Sequence, residues 1–252
     1  MARPMLMTMP MSTLAQVLRR TVMGVGVAAA AALWLATAAG ATTLTPVQPN
    51  PGGEPSLATA GGLLNSLYGL SNLARIDDSL DQQWGNLGTA EVIAKAKYAG
   101  YSQTFGYITG ASGGAFVPLF SITQSGLLTG ISAQFTVAQS GESFRWGDDP
   151  NGTSRAPGLW SALQSDNASD GGQDHMVTWL ITGAAGHPDN HVGAFVIAFE
   201  DLSGLGDRDY NDLVVEVRGV SDGAVPLPAT LALVAAGLAG LGALRIRARR
   251  QS

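Results

Sequence analysis

Ile131, Ala133, Phe135 and Val137 alternate with Ser132, Gln134 and Thr136, and this two-residue period predicts a strand with one buried face. From Ala90 to Tyr98, Val92, Ala94, Ala96 and Tyr98 face one way and Lys95 and Lys97 the other. A helix can be drawn through this Ala-rich piece, but β-type residues continue from Tyr101 to Ile108 and favour extended chain. Met176 to Thr182, Ala194 to Phe199 and Leu213 to Arg218 predict three more strands. Gly-, Asp- and Asn-rich stretches, Gly147 to Gly152 and Asn167 to Gly172, read as turns, with Asp148 and Asp149 in the first. Upstream, Leu63, Leu67, Leu70 and Leu73 recur at helical spacing between Gly61 and Trp84, interrupted by Gly69. The pattern predicts an all-β fold, a jelly-roll-like β-sandwich over residues 90–220. A short helical segment (61–89) precedes it, and a flexible lead rich in Thr, Pro and Gly (42–60) comes before that.

The two ends of the chain read as targeting segments. Arg19 and Arg20 precede an apolar run from Val22 to Ala38, and Ala39 and Ala41 offer a signal-peptidase site, so residues 1–41 read as a signal peptide. At the other end, Val225, Pro226, Leu227 and Pro228 lead into an apolar, glycine-laced run from Leu231 to Leu244. Arg245, Arg247, Arg249 and Arg250 close it. Apolar helix followed by arginine is a membrane stop under the positive-inside rule. The layout of residues 221–252 resembles the PEP-CTERM sorting signal of Gram-negative bacteria, with Val-Pro-Leu-Pro in place of Val-Pro-Glu-Pro. That resemblance implies transient anchoring in the inner membrane through a transmembrane helix, processing by an exosortase-type enzyme, and delivery to the cell surface or extracellular matrix. An ordinary tail anchor is the alternative.

Charge changes the picture once these ends are set aside. The body between them carries 7 of the 14 Lys and Arg residues and all 19 Asp and Glu, a net of −12. Such a body does not suit nucleic acid, whose binding rests on cationic side chains, and does suit divalent cations. There is no cysteine, so disulfides, thiolate metal sites and thiol catalysis are all excluded.

The densest acidic stretch falls between two predicted strands: Glu200, Asp201, Asp207, Asp209, Asn211 and Asp212. Five carboxylates so close repel one another, and calcium, which takes six to eight oxygens in loose geometry, relieves that repulsion. Asp207, Asp209 and Asn211 have the opening spacing of an EF-hand, but Asp212 stands where Gly is needed and Arg218 where Glu is needed. Any site is therefore of another geometry. Side-chain-to-backbone turns made by Asp and Asn are the competing reading. The run Phe199-Glu-Asp-Leu202, followed by Gly206-Asp-Arg-Asp-Tyr-Asn-Asp-Leu213, resembles the signature of a bacterial exported domain of unknown function. That domain accompanies PEP-CTERM tails and occurs in adhesin-like proteins. The likeness extends over residues 90–219, including Ala99 to Tyr107 and Asp174 to Val177, and implies a β-rich surface module without supplying a reaction.

Other candidates are weaker. Gly110-Ala-Ser112-Gly-Gly114 has the letters of a nucleophile elbow but needs a helix after the serine, where a Pro118-broken extended run follows. His187 and His191 are four apart in a Pro188-containing loop, unsuited to zinc. Asp77, Asp78 and Asp81 offer a second calcium site or a solvated helix end. Trp146, Trp160 and Trp179 read as core before sugar-stacking platforms. The expectation is a non-enzymatic, calcium-stabilised protein of adhesion, matrix or biofilm, in contact with extracellular polysaccharide. A carbohydrate-binding module is the alternative and a glycan hydrolase the third choice.

Overall fold

The computed structural model describes residues 44–136, 143–151 and 158–222. Ala39, Ala41, Val225, Pro226, Leu227, Pro228, Arg245, Arg247, Arg249 and Arg250 lie outside the described residues. Within them, ten strands join one antiparallel sheet: β1 (Leu73–Arg75), β2 (Trp84–Lys97), β3 (Ser102–Thr109), β4 (Phe116–Ile122), β5 (Gly126–Leu127), β6 (Ser132–Phe135), β7 (Ser143–Asn151), β8 (Met176–Ile181), β9 (Phe195–Phe199) and β10 (Leu213–Asp222). Their order is β1-β8-β9-β10-β2-β7-β3-β4, with β5 and β6 also paired to β2. One short α-helix, α1 (Leu63–Tyr68), is described, together with three single-turn 3-10 helices at Leu70–Asn72, Ala168–Asp170 and Ser203–Leu205.

Strand β9 is apolar and buried at every position, so both its faces are covered. Phe195, Ile197 and Phe199 pack with Leu213, Val215, Trp84, Phe105, Phe144 and Trp146 in an aromatic core. Val196, Ala198 and Val214 point the other way, against Leu57 and against Leu63, Leu64 and Tyr68 of α1. Phe105 on β3 and Phe199 on β9 are four places apart in the strand order, yet their ring centroids are 6.1 Å apart. In a flat sheet, strands so placed lie about 19 Å apart, at about 4.8 Å per step. The sheet therefore curls over its aromatic face.

Two bulges shape the β2–β10 ladder. Val214 pairs with Ala96 and Val215 with Ala94, so Lys95 is an extra residue on β2. Val92 and Ala94 face the aromatic core, whereas Ala96, beyond the bulge, faces the helix side. Continuous alternation puts Lys97 beside Lys95 on one face; the bulge reverses it, and Lys97 is 2 % exposed. The second bulge falls at Gly219, whose φ is +71° and whose added Cβ would lie 2.7 Å from the Thr89 carbonyl oxygen.

Several expectations need correction. The helix expected across 61–84 is confined to Leu63–Tyr68, because Gly69 (φ 73°) ends it and Leu73 enters strand β1. Glycine-rich composition misled the expectation for 147–152: Gly147 to Asn151 belong to β7 and pair without interruption from Ser102↔Asn151 to Thr109↔Phe144. Asp148 and Asp149 are strand residues. The sheet also begins before residue 90, with β1 and the first pairs of β2. The lead carries no helix or strand from 44 to 60 but is fastened: Gln48 N–H donates to the Arg208 carbonyl (2.8 Å), and Leu57 is wholly buried.

Candidate cation site

The acidic loop, residues 200–212, connects β9 to β10, whose ladder closes at Leu213↔Phe199. Three of its non-glycine residues, Leu205, Arg208 and Tyr210, have φ between 55° and 61°. Left-handed backbone at bulky residues persists only where the surroundings over-determine it. Here Leu205 and Tyr210 bury their side chains in the helix-side core, and the Tyr210 hydroxyl donates to the Asp174 carbonyl (2.7 Å). Nearby, His175 is stacked on Trp160 (3.9 Å between centroids, 3° between planes). Its Nδ1–H donates to the Glu200 carbonyl (2.8 Å), and its Nε2 meets Asp170, which also accepts from Ser203 Oγ and Gly204 N–H. The Trp160 indole donates to the Asp201 carbonyl (2.9 Å). The loop is thus braced at both ends and in the middle.

These braces bring together the carboxylates picked out in the sequence. Carboxylate oxygens of Glu200, Asp207 and Asp209 lie within 4.8 Å of one another, as do those of Glu200, Asp201 and Asp212. Glu200 is common to both groups. It is fully buried, and its Oε2 has no hydrogen-bond partner. The group opens on a cleft of about 270 Å³, lined by Glu54, Tyr98 and Tyr101 besides the acids. The Asn211 amide donates to Asp209 (2.8 Å) and to the Pro55 carbonyl (3.1 Å), which leaves its Oδ1 buried beside the acids without a partner.

Burial, and then the charge of Asp207, holds the Glu200 carboxyl up at about 8. Burial likewise raises Asp201 to about 6, and Asp209 and Asp212 rise for the same first reason. A group of acids this reluctant to ionise gains most from a cation that replaces its protons. All donors are oxygens, and the described residues put no histidine ring or thiolate among them, which fits a hard cation.

Five contributors carry no mark of this role in the sequence. Asn50 donates to Asp209, and Glu54 is pushed upward by burial and by Asp209, both from the supposedly loose lead. Asp148, concealed in a turn-like composition, is fully buried, neither carboxylate oxygen has a partner, and burial together with Asp201 raises it well above the ordinary range. Lys97 Nζ donates to the Ala99 carbonyl (2.7 Å) and feels Asp201, Asp212 and Asp148, yet burial still lowers its pKa. Gln103 donates to Asp201 from β3. Lys97 joins them because a bulge at Lys95 inverts its face, and nothing local in the sequence predicts that bulge.

The competing candidates resolve simply. Trp146 and Trp160 are buried and Trp179 is 6 % exposed, so none of the three offers a sugar-stacking face. Ser112 lies in the β3–β4 connection and passes into strand β4, not a helix. His187 and His191 sit in the loop between β8 and β9, with no helix to align them. Asp78 forms an ion pair with Arg75 (2.8 Å).

The family described as a domain of unknown function (DUF4114) matches residues 128–220, a span that holds β6 to β9, the whole acidic loop and all but the last two residues of β10. No curated protein and no solved structure matches the chain.

Proposed function

We propose that this chain is an exported, non-enzymatic β-sandwich protein whose 200–212 loop binds calcium, and that calcium fixes the β9–β10 connection where a cysteine-free chain has no disulfide. One observation carries the reading: Glu200 Oε2 is a fully buried carboxylate oxygen with no hydrogen-bond partner, shared by two groups of converging acids. Asp and Asn turns alone leave such an oxygen unexplained, since turn-forming side chains accept hydrogen bonds from nearby N–H groups. Calcium is favoured over magnesium because the donors come from an irregular loop and calcium tolerates loose, high-coordinate geometry. The curled sheet with a shared aromatic core supports the sandwich reading. The terminal segments support export, exosortase-type sorting and a place in surface adhesion or matrix.

The test is thermal unfolding of the full-length chain in millimolar calcium and in chelator. A ligand that binds only the folded state stabilises it by about 2.7 kcal/mol at 100 times its Kd, so the midpoint rises with calcium. Identical midpoints across that range reject the reading.

A further inference from the structure

The acids of the 200–212 loop are more than one ion can hold. Two oxygens bound to a single calcium at about 2.4 Å lie no farther apart than about 4.8 Å. Glu200, Asp207 and Asp209 meet that limit, and so do Glu200, Asp201 and Asp212, but the five carboxylates do not close into one such group. Hydrogen bonds hold the two halves apart. Asp209 accepts from the Asn211 N–H (3.1 Å), from the Asn211 amide (2.8 Å) and from Asn50 of the lead. Asp212 accepts from the Asp201 N–H (2.8 Å), and Asp201 from Gln103 on β3. Drawing all five acids round one ion would break these bonds. An ionised carboxylate has about four lone-pair sites, so each of the three keeps room for an ion beside its hydrogen bonds.

Charge and an unused oxygen point the same way. One divalent ion leaves three of the five negative charges in place, and two leave one. Lys97 does not supply the difference by contact: its ammonium sits on the Ala99 carbonyl (2.7 Å) and forms no ion pair among the described residues. Gln103, which is not an acid, marks the half nearer the strand ends. It is fully buried, its amide nitrogen is engaged by Asp201, and its Oε1 has no partner. Turning the amide over would set Oε1 against the Asp201 carboxylate. A buried amide oxygen in need of a partner is an ordinary calcium ligand.

We propose that the loop holds two calcium ions bridged by Glu200. A strand-end ion sits on Glu200, Asp201 and Asp212, with Gln103 Oε1 beside it, and a loop ion sits on Glu200, Asp207 and Asp209. The proposal rests on the reading of this loop as a calcium site and adds a second ion with its own ligands. A carboxylate shared by two ions accounts for Glu200 alone belonging to both groups while its Oε2 takes no hydrogen bond. The strand-end ion ties the end of β9 to the start of β10, and through Gln103 to β3. The loop ion fixes the middle of the connection, where Asn50 joins it to the lead. The cleft of about 270 Å³ leaves space for water to complete each shell.

The experiment counts calcium bound per full-length chain by equilibrium dialysis after stripping with chelator, with calcium alone as the probe. Wild type is expected to hold two ions and Glu200→Gln none. Asp201→Asn and Asp212→Asn should each lose the strand-end ion, and Asp207→Asn and Asp209→Asn the loop ion. Two variants on each side guard against one that fails to fold, and cooperative thermal unfolding identifies those that fold. A single wild-type ion that is lost in Glu200→Gln overturns the pair and leaves the proposed function intact. No wild-type ion overturns both. Two ions retained in both Asp201→Asn and Asp212→Asn place the second ion elsewhere and also overturn the proposal. One ion retained in Glu200→Gln overturns the bridge.

Discussion

Glu200→Gln should change stability in opposite directions with and without calcium. The substitution keeps the side chain's shape and removes its charge. In calcium-free protein the folded-state carboxyl titrates at about 8 against an ordinary 4.5. The folded state therefore holds a proton at pH 7 that the unfolded state has released. Folding takes up that proton at a cost of about 3 kcal/mol, from 1.36 kcal/mol per pKa unit over the interval from 4.5 to 7. Glutamine, always neutral, avoids the cost. At about 2–4 °C per kcal/mol for a chain of this size, the variant should melt roughly 6–12 °C above wild type in chelator. In saturating calcium the order narrows or inverts, because the wild-type carboxylate gains the ion and the amide loses its charge. Differential scanning calorimetry in the two conditions reads both signs. A variant less stable than wild type in chelator would show that the buried Glu200 carboxylate is satisfied without an ion, and would refute the reasoning.

The same shift sets a pH dependence. Stability from Glu200 in chelator is fully present below pH 4.5 and is lost as pH rises through about 8, so urea midpoints should fall across that window, and less steeply in Glu200→Gln, where the other raised acids keep the remaining slope. A flat wild-type profile counts against the buried acid. Gly219→Ala places a Cβ 2.7 Å from the Thr89 carbonyl at a positive φ and should cost about 1–3 kcal/mol in urea unfolding, with calcium stoichiometry unchanged. An unaffected midpoint would mean that the bulge relaxes freely. Arg145 is 1 % exposed and donates to Asp166 and to the Gly110 and Gly113 carbonyls. Arg145→Met should therefore cost about 3 kcal/mol, measured the same way. The intact mass of the natural product should lack the residues beyond about Pro228; a retained tail would point to plain anchoring.

What was legible in the sequence was what repeats or concentrates locally. Strands β6, β8, β9 and β10 each declare themselves within a few residues, through alternation or an unbroken apolar run. The carboxylates of Glu200 to Asp212 lie close along the chain, so their convergence in space follows from a loop that must return to the next strand. Illegible were the features set by a partner elsewhere. Asp148 and Asp149 sit in an Asp-Asp-Pro-Asn-Gly run whose composition favours a turn. What overrides it is eight consecutive pairings with β3, a tertiary effect with no local trace. The lead from 44 to 60 is Pro- and Gly-rich and offers no period, yet Asn50 and Glu54 reach the loop from it.

The Lys95 bulge shows why those misses gather at one place. A strand in unbroken register would present Lys95 and Lys97 on the same face, both within reach of water. The extra residue turns Lys97 over instead, into an acidic surround where burial lowers its pKa. A lysine there offsets one of at least six carboxylates contributed by Asp148, Glu200, Asp201, Asp207, Asp209 and Asp212. The same deviation turns Ala96 into the helix-side core and leaves Lys95 over the Tyr68 ring, so the bulge packs one face while it delivers a charge to the other. Yet Lys97 neutralises too little to leave the group satisfied, because Glu200 Oε2 and both Asp148 oxygens still lack partners. One fixed cation is built into the strand, and the demand it leaves is the one the proposed divalent cation would meet.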